Sequence, residues 1–214
     1  IKTLQKAESK FHVDPYTIVA ILGVETNYGA NTGSYRVLDA LGTLAFSTKN
    51  KDRTYFFQDQ LKDFIILAEN KKAFDVYKTK GSYAGAIGIP QFMPSSYIAY
   101  SIRFKQDNHS SNLFNKDDAI MSVANYLNKH GWVHKEFIER KLTQKELTNL
   151  KNKNNRPKNI IELNEKDQVK EYRVISSNFK AIMSYNPKYN YAMAVSTLSD
   201  KIRAQTQTQK SDDR

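Results

Sequence analysis

Asp14-Pro-Tyr-Thr-Ile-Val-Ala-Ile-Leu-Gly-Val-Glu-Thr-Asn-Tyr-Gly29 is the segment from which the fold is read. Asp14 has the oxygen acceptor an N-cap needs, and Pro15 suits the first helical position, where its missing N–H is no loss. The apolar run from Thr17 to Thr26 predicts a helix that stops near Gly29. Ile18, Ile21, Leu22 and Glu25 stand three and four residues apart and so share one face. A carboxylate on such a face is costly unless it is paired or protonated. Desolvation and the partially negative end of the helix both favour the protonated carboxyl, the form a general acid needs. The helix alone leaves two plainer readings open: Glu25 pairs with a basic residue elsewhere, or it lies at the helix rim.

Around this helix the chain reads as mostly helical. Leu4, Ala7 and Phe11 give Ile1–His12 a helical period. Helices are predicted over Val37–Phe46, over Arg53–Tyr77 with Phe57, Leu61, Phe64, Ile65 and Ala68 on one face, from Pro94, and over Asp117–His130 with Gly131 as its stop. Lys80–Met93, with three glycines and Pro90, reads as a shaped loop. From Lys135 to Lys170 the chain turns rich in Lys, Asn and Glu, with β-compatible pieces at Asn159–Leu163 and Tyr172–Ser176. Helical, aromatic character returns over Phe179–Ile202, and the polar tail beyond it is expected to fray. The predicted fold class is mostly α (α+β) in one domain. Its helical core spans 1–134 and 179–202, a small α/β insertion spans 135–178, and a polar tail spans 203–214.

The chain has 214 residues, enough for a full core, and carries a net charge of +11. That charge suits an anionic partner, whether nucleic acid, anionic lipid or acidic cell-wall peptide, or simply a well-solvated surface. It has no cysteine, which excludes disulfides, thiolate metal sites and a Cys nucleophile. The longest apolar run, Ile18–Val24, is too short to span a bilayer. The chain has no recognisable secretory signal, and its start at Ile1 reads as a processed or trimmed form.

Five ordered blocks carry a family resemblance. They are Gly23-Val-Glu-Thr-Asn-Tyr-Gly29; Arg36-Val-Leu-Asp-Ala-Leu-Gly-Thr-Leu-Ala-Phe46; Gly81-Ser-Tyr-Ala-Gly-Ala-Ile-Gly-Ile-Pro-Gln-Phe-Met-Pro-Ser-Ser-Tyr97; Asp118-Ala-Ile-Met-Ser-Val-Ala-Asn-Tyr-Leu-Asn-Lys-His-Gly-Trp132; and Ala181-Ile-Met-Ser-Tyr-Asn-Pro-Lys-Tyr-Asn-Tyr-Ala-Met-Ala-Val195. Together they resemble the membrane-bound lytic murein transglycosylase B family. The resemblance implies a lysozyme-like helical core, with the β-containing segment as an insertion. It also implies cleavage of the N-acetylmuramic acid–N-acetylglucosamine bond without water, leaving 1,6-anhydromuramoyl ends.

The resemblance assigns Glu25 as the catalytic acid and base and Ser82 as the serine that orients it. Gln91, Tyr126, Tyr185, Asn186, Tyr191 and Arg53 then fall on substrate-binding positions. Their types suit the task, since tyrosines offer flat faces to sugar rings and amides can read acetamido groups. Asp39 is the nearest carboxylate to Glu25 in sequence, but its block reads as packing. Phe92, Met93 and Trp132 read as core. The implied setting is the periplasm or cell envelope, with peptidoglycan glycan strands as partner, no nucleic acid, a monomeric state, and room for an envelope anchor upstream of Ile1.

The chain departs from the family pattern at three places. Relatives often carry a calcium loop between positions matching Arg103 and Asp118. Here Arg103 and Lys105 stand where the first two oxygen ligands would be, which leaves only Asp107 and Asp118. A hard cation needs six or more oxygens, so no metal and no cofactor are expected, and His109 reads as a loop residue. The family's paired arginines are represented by Lys51 and Arg53, and Lys188 stands where a small polar residue is common. A hydrolytic muramidase and a catalytically silent peptidoglycan-binding module are the competing functions.

Overall fold

The computed structural model describes residues 1–47, 50–71, 74–105, 107–151, 157–165 and 168–212. Residues 152–156 and 166–167 of the expected insertion, and 213–214 of the expected tail, lie outside them. The described residues contain nine α-helices and five short strands, a mostly α protein. The chain forms two compact units, residues 1–126 and 127–214.

In the first unit, α1 (Lys2–Phe11) precedes α2 (Pro15–Thr26). The Asp14 carboxylate caps α2 as the sequence predicts, accepting the Thr17 N–H at 3.0 Å and the Thr17 hydroxyl at 2.8 Å. Strand β1 (Tyr35–Arg36) leads into α3 (Val37–Ser47), which packs on α4 (Lys51–Lys71). Of the long helix expected over Arg53–Tyr77, residues 72–73 lie outside the described residues, α4 is described to Lys71, and the stretch from Phe74 to Tyr77 is not helical. Asp75 builds a turn there, its carboxylate accepting the Tyr77 and Lys78 amides at 2.8 and 3.2 Å. Aspartate competes with helix in this way because its short side chain bonds the backbone directly ahead of it.

Strand β2 (Lys80–Gly81) pairs antiparallel with β1, and α5 (Pro94–Tyr100) and α6 (Lys116–Lys129) follow. The core of this unit holds Ile18, Ile21, Leu41, Phe64, Leu67, Ile87 and Leu113, all fully buried. Phe64 stacks on Phe74 at 5.0 Å, and Phe74 meets the edge of Tyr97 at 5.7 Å. Each such side chain contributes about 1.5–3 kcal/mol by leaving water. Buried Tyr97 still satisfies its hydroxyl, donating to the Ser111 carbonyl at 2.7 Å, and burial pushes its pKa up to about 12.

The second unit builds a three-stranded antiparallel sheet from β3 (Glu139–Lys141), β4 (Ile160–Glu165) and β5 (Gln168–Ile175), in the order β3-β5-β4. Helix α7 (Gln144–Lys151) lies between β3 and β4 in sequence. Both β-compatible pieces of the sequence fall in this sheet. The aromatic segment that follows is two helices, α8 (Ser177–Met183) and α9 (Tyr189–Asp212), separated where Pro187 withdraws a backbone donor. Fully buried Asn178 staples the 133–136 turn, accepting the Val133 amide at 2.7 Å and donating to the Val133 and Glu136 carbonyls at 3.0 and 2.8 Å. The tail expected to fray is helical to Asp212. Ala204 and several Gln and Lys residues favour helix there.

Candidate active site

Three consecutive residues with positive φ end α2 directly after Glu25 and Thr26: Asn27 at 49°, Tyr28 at 59° and Gly29 at 92°. The Tyr28 amide reaches back to the Leu22 carbonyl at 3.1 Å and the Asn27 amide to Gly23 at 2.9 Å, so two of the last helical carbonyls are satisfied by a left-handed cap. The helix therefore ends at Thr26, three residues before Gly29, near which the sequence placed its stop, and the chain reverses sharply. Ile18, Ile21 and Leu22 are buried, while Glu25 is only partly exposed, at the end of that buried stripe.

Three contacts hold this reversal against the glycine loop. The Thr26 hydroxyl donates to the Ile89 carbonyl at 2.8 Å and accepts the Gly29 amide at 3.0 Å. The Gln91 side-chain amide donates to the Thr32 and Gly88 carbonyls at 3.2 and 2.9 Å. Gly33, at φ 97°, lies so close to the strand that a Cβ there would sit 2.1 Å from the Gly81 carbonyl carbon and 2.6 Å from the Ser82 nitrogen. Glu25, Ser82 and Gln91, more than fifty residues apart at the extremes, are thus carried on backbones tied to one another.

Within the loop, Ser82 is partly exposed, and its hydroxyl oxygen accepts the Ala86 amide at 3.0 Å and the Ala84 amide at 3.3 Å. A hydroxyl that accepts in this way still has its proton to donate. Gln91 adopts φ 51°, a conformation rare for a residue with a side chain, and such strain gathers at functional sites. Both of its partners are carbonyls, which fixes the nitrogen end inward and leaves Oε1 as the accepting end.

Asp39 is engaged elsewhere. Arg36 grips both its oxygens at 2.6 and 2.8 Å, and this bidentate pair holds the guanidinium further above its ordinary range. Exposed Arg53 lies in the first turn of α4, its guanidinium 5.6 Å from the Phe57 ring centroid. Tyr126 is 6% exposed, packed against Phe92 at 5.5 Å and edge-on to Tyr100 at 4.9 Å. Burial, with Tyr100 nearby, pushes its hydroxyl up to about 12. Its ring is packed rather than laid open as a platform. In the second unit, half-buried Tyr185 and Tyr191 run nearly parallel, 16° apart with centroids at 6.5 Å, and Asn186 lies in the turn between them.

Thr26 is the residue whose part the sequence reading missed. It stood inside the Gly23–Gly29 block, and a threonine beside a helix stop was a signal for a side chain bonding outward. Of the residues expected in the core, Phe92 and Trp132 are buried and Met93 is partly exposed. Among the described residues no cluster of three or more His, Asp or Glu has metal-binding geometry. Among the described helices none is long and apolar enough to cross a membrane.

Residues 1–200 match the transglycosylase SLT domain model, and the chain belongs to that family. It is 45% identical over 130 residues to membrane-bound lytic murein transglycosylase B of Escherichia coli, covering 61% of this chain and 35% of the relative. The chain thus spans about a third of that relative's length. The crystal structure of the soluble lytic transglycosylase SltB1 from Pseudomonas aeruginosa superposes with a TM-score of 0.81 at 36% identity, covering 96% of this chain and 75% of that one. Escherichia coli Slt35, solved in complex with calcium, gives 0.78 at 32% identity over 95% of this chain and 70% of its own. Pseudomonas aeruginosa SltB3, solved in complex with NAG-anhNAM-pentapeptide, gives 0.78 at 26% identity over 94% and 60%. These neighbours place the fold in the lysozyme-like class expected from the sequence.

Proposed function

We propose that this chain is a lytic transglycosylase that cleaves the β-1,4 bond between N-acetylmuramic acid and N-acetylglucosamine in peptidoglycan. The observation that carries the reading is the placement of Glu25. It is a partly exposed carboxyl at the end of a buried helix, tied through Thr26 to the loop that bears Ser82 and Gln91.

Glu25 first donates its proton to the bridging glycosidic oxygen, and the bond from that oxygen to the muramoyl anomeric carbon breaks. The neighbouring acetamido oxygen stabilises the positive carbon. The C6 hydroxyl of the same sugar then attacks that carbon, and the Glu25 carboxylate takes its proton. Glu25 is restored, no water is consumed, and the product ends in a 1,6-anhydro ring. One carboxyl suffices because the nucleophile is tethered; a hydrolase would need a second carboxylate. The engagement of Asp39 by Arg36 supports this economy.

Ser82 donates its hydroxyl proton to orient Glu25, and Gln91 Oε1 accepts from a substrate N–H or hydroxyl. Arg53, Tyr126, Tyr185, Asn186 and Tyr191 contact the glycan, Tyr126 through no more than its hydroxyl edge. The +11 charge favours a wall polymer that carries peptide carboxylates. The cell envelope is therefore the working location, and the chain acts as a monomer. Purified sacculi incubated with the wild type should release soluble muropeptides, and Glu25→Gln should slow release about 10²–10⁴-fold. Undiminished release by the variant would overturn the assignment.

A further inference from the structure

Arg103 occupies an unusual position for a cationic side chain. Its Nε and Nη2 donate to the two oxygens of Asp107 at 2.9 and 3.0 Å, and its Nη1 donates to Asp118 Oδ2 at 3.1 Å. Asp118 is 1% exposed. Its Oδ1 also accepts the Phe104 amide at 2.9 Å and its Oδ2 the Asn112 amide at 2.7 Å. All four carboxylate oxygens therefore face N–H donors, with Lys105 nearby in sequence. A divalent cation needs six or more oxygens turned inward, and a guanidinium with two ring-closing amides fills that place instead. The residues present do not fit a metal.

We infer that the Arg103 guanidinium is the built-in cation of the 103–118 loop, organising it without a divalent ion and fixing the backbone on which the glycine loop rests. The second half of the inference follows the hydrogen bonds. Asn112 is locked to Asp118, and the next residue, Leu113, accepts the Ile89 amide at 2.9 Å through its carbonyl. A Cβ on Gly88 would lie 2.6 Å from Leu113 Cβ and 2.7 Å from its carbonyl oxygen, so the two loops are in direct contact. The other side of the same residue, the Ile89 carbonyl, accepts the Thr26 hydroxyl. The loop also holds the first helix, because Thr3 donates to Asp117 and the Lys6 ammonium lies 4.7 Å over the Phe104 ring. One guanidinium thus anchors α1 on one side and the Ile89 peptide on the other.

The test is thermal unfolding of the full chain in millimolar calcium chloride and in excess EDTA. Wild type should unfold at the same temperature in both. Arg103→Ala strands a buried carboxylate and should lower the midpoint by about 5–10 °C, with no recovery in calcium. Should that variant fail to fold, Asp107→Asn, at a more exposed position, should lower the midpoint by a few degrees and speed hydrogen exchange at the Ile89 amide. A wild-type midpoint that rises by several degrees in calcium would overturn the inference. So would an Arg103→Ala midpoint equal to wild type, or an Ile89 amide that exchanges unchanged in Asp107→Asn. None of these readouts depends on turnover, so they stand or fall separately from the catalytic role of Glu25.

Discussion

The Thr26 hydroxyl donates to the Ile89 carbonyl over 2.8 Å, and through that one bond the residue next to Glu25 is fastened to the loop that carries Gln91. The same oxygen accepts the Gly29 amide, so the helix end, the chain reversal and the glycine loop meet at one buried hydroxyl.

Thr26→Val keeps the shape and removes the hydroxyl. It leaves the Ile89 carbonyl and the Gly29 amide each without that partner, a loss of about 1–3 kcal/mol. The turnover number should fall with KM little changed, while Thr26→Ser should retain most of both. Denaturant unfolding and initial rates on sacculi check the pair.

Gly33 should tolerate no side chain. A Cβ at 2.1 Å from backbone cannot be relieved by a rotamer, and φ 97° is unfavourable for any L side chain. Gly33→Ala should cost upwards of about 3 kcal/mol, read from the midpoint of urea unfolding. A stability within about 0.5 kcal/mol of wild type would contradict the tight approach of this reversal to Gly81.

Gln91→Glu replaces a donating nitrogen by oxygen while both partners remain carbonyls. The added carboxylate is repelled by the Thr32 and Gly88 carbonyls, so the variant should be less stable than wild type by about 1–3 kcal/mol. Calorimetry on the two proteins at neutral pH measures the difference.

The Arg140–Glu146 pair supplies a pH test in the second unit. Arg140 closes on both Glu146 oxygens at 2.8 and 2.9 Å, and the Thr143 amide and hydroxyl add two more bonds, each at 2.8 Å. Together they pull the carboxyl from an ordinary 4.5 down to about 2. Because the folded value lies below the unfolded one, the contribution to stability is complete above about 4.5 and fades as pH falls through about 2. A carboxyl-carbon NMR titration of Glu146 should show its midpoint near 2 in wild type and a higher one in Arg140→Ala, still below the ordinary value because the two Thr143 bonds remain.

Much of this was legible before any coordinates. Asp14 and Pro15 announce α2 through capping chemistry that is local to four residues, and the 3.6-residue period of Phe57, Leu61 and Phe64 announces α4. Local chemistry also hid things. Asp75 fixes a turn inside the run that apolar spacing extended to Tyr77, its side-chain bonds to the Tyr77 and Lys78 amides outweighing a weak periodic preference there. The part played by Thr26 depends on Ile89, sixty-three residues away, and no local pattern encodes such a pairing. For Tyr126 the residue type suited a sugar platform as well as a packed ring; only its burial shows the ring packed between Phe92 and Tyr100. The Arg103 loop was half visible: the sequence showed that oxygen ligands were missing, while the arginine's grip on two aspartates required the folded loop.

The most direct test of a waterless mechanism driven by Glu25 is the mass of the products formed in water enriched in the heavy oxygen isotope. Wild type acting on sacculi should give muropeptides lighter by one water than their reducing-end counterparts, with no heavy oxygen incorporated, and Glu25→Gln should give almost none. Products that carry one heavy oxygen at a reducing end would show that water is the nucleophile and would contradict it.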